Sequence, residues 1–271
     1  MYESYWNLAA KPFTYRVDAA QLYKTRSLQS SALRLRYCFD NNAGAALLLG
    51  NTGMGKSSLL QHLRAENGHL YPFVQVAWAT LSPAELNRAV AAEILGNEPI
   101  DDLPTDALAT HLHHSLKEFA KEGQHTVIAF DEAHLLSNDC LNEVVLPLLN
   151  LADADHEVSF SVILSGQPSL VAHVARNAQL RERIAVKATM ERFTDNEVAH
   201  YIHTRMHEAG ANRTVFTDGA VEAIIQLSEG NPRRINRLCD MSLLVGYGDQ
   251  ISQVTEKEVR SLSVEILPAA A

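Results

Sequence analysis

The stretch Gly50-Asn51-Thr52-Gly53-Met54-Gly55-Lys56-Ser57 sets glycines, a lysine and a hydroxyl at the spacing G-x-x-x-x-G-K-[ST]. That spacing suits the holding of a phosphate chain. The glycines let the backbone turn successive N–H groups toward an anion. A helix opening near Lys56 would add the positive end of its dipole. The Lys56 ammonium can reach the β and γ phosphates, and the Ser57 hydroxyl is a suitable Mg²⁺ ligand. Asn51, Thr52, Met54 and Ser58 complete the expected lining. Asp131-Glu132 closes an apolar run further on. Asp131 would hold Mg²⁺, directly or through water, and Glu132 would orient and deprotonate an attacking water. Neither a kinase catalytic loop nor an Asn-Lys-x-Asp guanine-reading motif is present, which points to ATP.

These residues need a scaffold, and the pattern of apolar runs supplies one. Residues 45–49, 73–78, 125–130, 158–164 and 186–190 read as buried strands. Helical patterns cover 30–39, 58–63, 82–95, 105–121 and 139–149, with short helices at 170–174 and 180–184. Ser82, Pro83 and Glu85 form a helix start with a capping box. Residues 96–104, with Pro99, Asp101 and Asp102, read as a loop. Strands alternating with helices predict a parallel three-layer α/β sheet. After Thr194 the strands stop, and helices are expected at 196–209, 218–228, 232–245 and 256–263. Thr217 and Thr255 are predicted caps, the latter boxed by Glu258. The expected organisation is an N-terminal segment 1–44, a nucleotide-binding core 45–192 and a helical lid 193–271.

The N-terminal segment holds Tyr2, Tyr5, Trp6, Phe13, Tyr15 and Tyr23. Such aromatic density predicts an arm packed on the core, either against a nucleotide base or as plain core packing. His111, His113 and His114 fall in one helix, where only a pair at i, i+3 shares a face, so they read as structural. Composition, 46% apolar and 20% charged, is that of a globular chain. No apolar stretch approaches 18 residues, so no membrane span is expected, and no signal peptide is read. Cys38, Cys140 and Cys239 are scattered, which suggests reduced thiols in a cytoplasm. The net charge of −9 is uneven: +5 over 1–65, −13 over 66–160 and −1 over 161–271. This argues against non-specific coating of DNA by the whole surface.

The chain resembles AAA+ ATPases, in particular the general secretion pathway protein A group and related transposition-regulating ATPases. The resemblance is carried by Tyr5-Trp6-Asn7-Leu8, Lys11-Pro12-Phe13, the phosphate loop and Phe130-Asp131-Glu132-Ala133-His134-Leu135-Leu136. It continues through Leu164-Ser165-Gly166-Gln167-Pro168-Ser169-Leu170, Leu180-Arg181-Glu182-Arg183-Ile184 and Gly230-Asn231-Pro232-Arg233-Arg234-Ile235-Asn236, with Leu238-Cys239-Asp240. It implies a P-loop NTPase sheet of strand order 5-1-4-3-2 with a C-terminal all-helical lid. Gln167, or its rival Ser165, would be the sensor of the γ phosphate, and Arg233 a second sensor on the lid. Arg183, with Arg181 as rival, would be an arginine finger donated to a neighbouring subunit. Hydrolysis would then need a homo-oligomeric ring or filament of six or seven subunits.

Three functions follow from the resemblance. One is an ATP-driven switch that assembles and recruits a partner protein, with DNA as a further partner. Lys24, Arg26, Arg34 and Arg36 would then either line a DNA-facing pore or form a solvated face. A second is a cytoplasmic ATPase powering assembly of a secretion or pilus machine. A third is a non-hydrolysing nucleotide-gated scaffold, which Glu132 argues against. Secretion relatives often continue into a membrane span and a cell-wall-binding domain. The end at Ala271, just after the lid, is expected to leave these out, as well as a dedicated DNA reader.

Overall fold

The computed structural model describes residues 1–14, 22–67, 72–77, 80–96 and 103–266, side chains being described to residue 262. Tyr15, Trp78 and the loop residues Pro99, Asp101 and Asp102 lie outside the described residues. By its contacts the chain divides into two compact units.

One unit, Arg26–Thr52 with Lys56–Met190, is built on a sheet. Its strands are β1 (Ala45–Leu49), β2 (Phe73–Val76), β3 (Thr126–Phe130), β4 (Phe160–Gly166) and β5 (Ile184–Thr189), all parallel in the order β2-β3-β4-β1-β5. This is the expected order. Every residue of β1, β3 and β4 is buried, which explains why these strands read as unbroken apolar runs rather than alternating ones. β5, an edge strand, alternates toward solvent.

Helices α1 (Arg26–Asp40), α2 (Lys56–Asn67), α3 (Pro83–Leu95), α4 (Thr105–Lys121), α5 (Asn138–Cys140), α6 (Leu146–Ala154), α7 (Leu170–Arg176) and α8 (Ala178–Arg183) complete this unit. A π turn, Leu141–Val145, links α5 to α6. The Ser82–Glu85 capping box is present at α3. α1 guards the exposed edge: Ser27 and Ser31 hydroxyls donate to the Thr189 carbonyl, each at 3.2 Å, and Arg34 donates to the Lys187 carbonyl at 2.8 Å. These bonds occupy carbonyls that would otherwise template pairing with another chain. Arg36 is paired with Glu66. Two of the basic residues considered for a DNA-facing pore are therefore engaged within the chain.

The other unit comprises Met1–Thr25, Gly53–Gly55 and Glu191–Ala271. Its helices are α9 (Asp195–Glu208), α10 (Asp218–Ser228), α11 (Pro232–Gly248) and α12 (Glu256–Ile266). Thr194 and Glu197 form a capping box at α9 that the sequence reading missed. Thr217 caps α10, and Glu258 accepts from the Thr255 backbone at 2.8 Å. The N-terminal aromatics are core, and their partners are these helices. Tyr2, Trp6 and Phe13 join one cluster with Val198, Ile224, Leu238 and Leu243. Trp6 is fully buried and donates its indole N–H to the Leu243 carbonyl at 2.9 Å, while the Tyr5 hydroxyl donates to the Ile251 carbonyl at 2.7 Å. Between a nucleotide base and plain packing, the observed contacts of Tyr2, Trp6 and Phe13 are plain packing. The reason is polar satisfaction as well as apolar area, since Tyr2, Tyr5 and Trp6 each find an acceptor there.

Among the described residues no helix is long and apolar enough to cross a membrane. Trp6→Ala should therefore lower stability by about 3–5 kcal/mol, read as a fall in the urea midpoint. Tyr37→Ala, on an exposed face of α1, should stay within about 0.5 kcal/mol.

Candidate active site

The phosphate loop leaves β1 and turns directly into α2. Gly53 and Gly55 have φ of 83° and 88°, a region that L side chains avoid, so those positions need glycine. The Gly50 N–H donates to the Gly166 carbonyl at 3.1 Å, which pins the start of the loop to the end of β4. Met54 is buried, while Asn51 and Thr52 are exposed. Lys56, the first residue of α2, is 4% exposed and donates its ammonium to the Gly50 carbonyl at 2.9 Å and the Asn51 carbonyl at 3.4 Å. A buried cation bonded to loop carbonyls at the N-terminus of a helix is a cradle fitted to an anion. Ser57 and Ser58, both half-buried, occupy the next two positions of α2.

Asp131 follows β3 and is 6% exposed. Its Oδ2 accepts from the Ser57 hydroxyl at 2.5 Å and from the Gln75 amide at 3.2 Å. Its Oδ1 accepts from the Ser165 hydroxyl at 2.9 Å and from the Glu132 N–H at 3.0 Å. The carboxylate is thus oriented from four sides, with one oxygen facing the hydroxyl that opens α2. A hydroxyl and a carboxylate are hard oxygen donors of the kind Mg²⁺ accepts. Gln75 escaped the sequence reading; its only signal was a polar residue inside the apolar strand Phe73–Val76.

Glu132 takes the left-handed conformation, φ 52° and ψ 33°, which costs a non-glycine residue roughly 1–2 kcal/mol. Its side chain is 42% exposed, and its Oε2 lies 3.4 Å from Nδ1 of His134. In the sequence His134 is legible only as part of the motif that follows Asp131-Glu132. Of the two rival sensors, Ser165 is buried with its hydroxyl on Asp131, and Gln167 is half-buried one residue beyond β4.

The arginines are dispersed. β5 runs parallel to β1 with Ile184 opposite Ala45, so Arg183 stands where the strands begin and the phosphate loop where they end. Five residues of strand separate these levels by about 16 Å. Arg183 is held by Asp153 at 3.0 Å, by Asn150 at 2.7 Å and by the Gln179 carbonyl at 3.2 Å, while Arg181 is exposed. In the helical unit, Arg233 is exposed in the first turn of α11, whose N-cap Asn231 accepts its N–H at 3.0 Å. Within that unit, a Cβ on Gly53 would fall 2.7 Å from Asn231 Oδ1 and 2.9 Å from Arg233 Cβ. Among the described residues no cluster of three or more His, Cys, Asp or Glu could hold a metal, and His113 faces Asp155 at 2.6 Å.

Residues 40–173 match the family described as AAA domain. This segment is an AAA domain. The chain is 26% identical to General secretion pathway protein A of Aeromonas hydrophila, over 98% of this chain and 48% of that protein. It thus spans about half the length of this curated relative. Among solved structures it is similar to Cdc6p of Pyrobaculum aerophilum, with TM-score 0.73 and 16% identity over 94% of this chain and 73% of that one. It is also similar to the Aeropyrum pernix ORC1 protein solved in complex with DNA, with TM-score 0.66 and 20% identity over 88% of this chain and 65% of that one. These likenesses bear on fold, a P-loop AAA+ sheet.

Lys56→Ala removes a charge-assisted donor from the cradle. Losing about 1.5–3 kcal/mol of such bonding corresponds to roughly ten- to hundredfold weaker binding of a fluorescent ATP analogue, measured by titration.

Proposed function

We propose that this chain binds and hydrolyses ATP with Mg²⁺ at the junctions of a homo-oligomer, and that the cycle works as a switch recruiting or remodelling a partner complex. The observation that carries the reading is the Ser57–Asp131 hydrogen bond of 2.5 Å, because it joins the loop that would hold the phosphates to the strand end that presents Glu132. In this reading Asn51, Thr52 and the following loop N–H groups hold the β and γ phosphates. Lys56 swings from the loop carbonyls onto the same oxygens. Ser57 and Asp131 hold the Mg²⁺, which when bound neutralises charge on the phosphate oxygens. Glu132 takes the proton of the attacking water. Gln167 or Ser165 senses the state of the loop from the end of β4, and Arg233 does so from the helical unit.

An arginine must then come from elsewhere. Arg183 and Arg181 sit at the opposite end of the strands from their own loop, so either can serve only a neighbouring copy. A ring or filament of six or seven subunits meets that requirement. The fold shared with the ORC1 protein, which was solved in complex with DNA, favours action on DNA; a cytoplasmic setting is part of the same proposal. A second reading, an ATPase powering assembly of a secretion or pilus machine, is favoured by the sequence relative, which aligns with almost all of this chain.

Two outcomes are expected. Glu132→Gln alone and Arg183→Ala alone should each lose about 10²-fold or more in ATP turnover, and mixing them should restore activity, since one copy supplies the arginine and the other the base. Arg181→Ala in the same assay identifies which arginine crosses. Full turnover by a strictly monomeric chain would end this reading. Binding of duplex DNA in ATP but not ADP, weakening steeply between about 50 and 200 mM salt, supports the DNA reading. Absence of binding at low salt, with capture of an inner-membrane partner, supports the secretion reading.

A further inference from the structure

Glu132 is held in the left-handed conformation at the first turn after β3, and the backbone there closes through the Leu135 N–H onto its carbonyl at 2.9 Å. That turn brings His134 back beside it. The His134 side chain is 9% exposed, and its Nδ1 is buried without a hydrogen-bond partner while lying 3.4 Å from Glu132 Oε2. A buried ring nitrogen left unpaired is costly, and its nearest carboxylate is one small movement away. On its other side His134 is fixed. A Cβ on Gly166 would lie 3.1 Å from the His134 backbone nitrogen and 3.3 Å from its Cβ, so the missing side chain of Gly166 is the space that His134 fills. The Gly166 carbonyl in turn accepts the Gly50 N–H that begins the phosphate loop.

We propose that His134 is a positioning residue for Glu132, resting on the hydrolytic reading above. In its Nδ1–H tautomer the imidazole donates to one carboxylate oxygen of Glu132 and leaves the other oxygen for the attacking water. Contacts of this kind are long in the free protein and tighten when the site fills. The route of tightening is the chain Gly50–Gly166–His134. Movement of the loop onto a phosphate draws on Gly166, and the His134 backbone and Cβ set against Gly166 follow, carrying the ring.

The test uses the full chain in its oligomeric state, with Mg-ATP turnover and binding of a non-hydrolysable ATP analogue measured together. His134→Ala should lower kcat by about 10²-fold, the loss typical of a misplaced reacting group, with analogue affinity within about twofold of the unaltered chain. His134→Asn, whose amide N–H can stand near the place of Nδ1, should recover most of kcat. His134→Gln, whose amide stands nearer the place of Nε2, should not. In Glu132→Gln, adding His134→Ala should cost nothing further, because the group it positions is already disabled. Turnover of His134→Ala within twofold of the unaltered chain overturns the proposal, as does equal recovery by Asn and Gln. If Glu132→Gln itself turns over normally, the hydrolytic reading fails, and the role of His134 with it.

Discussion

A hydrogen bond of 2.5 Å between the Ser57 hydroxyl and Asp131 ties the first turn of α2 to the end of β3, and the chemistry proposed for this chain depends on that tie. The two residues are 74 positions apart, and β4 lies between their strands in the sheet. Parallel strands bring all carboxyl ends to one edge, so a loop leaving β1 and an acid leaving β3 meet at a common level. Gln75 from β2 and Ser165 from β4 complete the orientation of Asp131. The site is thus held by strand ends, while the phosphate loop rests on them through Gly50 and Gly166.

The same parallel order has a second consequence. A group that precedes a strand is carried to the opposite edge, and Arg183 directly precedes β5. No side chain spans the length of a strand. The separation is geometric, and it makes the proposed division of labour between copies a matter of topology. The bonds from Arg183 to Asp153 and Asn150 also fasten α8 to α6, so a substitution there bears on local packing as well as on any neighbour.

The helical unit shows how a terminal segment becomes core. Fourteen described residues at the N-terminus bring Tyr2, Trp6 and Phe13 to the helices of residues 191–266. Aromatic density predicts burial because large rings gain from leaving water. It carries no information on which surface receives them. That choice fell to the acceptors at Leu243 and Ile251 and to the apolar faces of α9–α11.

The amino-acid sequence by itself determined the strands, the loop and the acidic pair, because each is set by local order: a continuous apolar run, a glycine spacing, a carboxylate pair after a buried strand. Helix starts such as Ser82–Glu85 were legible for the same reason, since capping is decided within four residues. Gln75 and His134 were not legible as site residues, because a polar side chain gains its role from a partner far along the chain. Tertiary structure alone decided that Gln75 faces Asp131, that His134 lies beside Glu132 and fills the space at Gly166, and that the N-terminal rings belong to the helical unit. Local pattern fixes which groups exist and what element carries them. Only the packing of distant elements fixes which groups meet, since contact energies depend on separations in space that spacing along a chain does not encode.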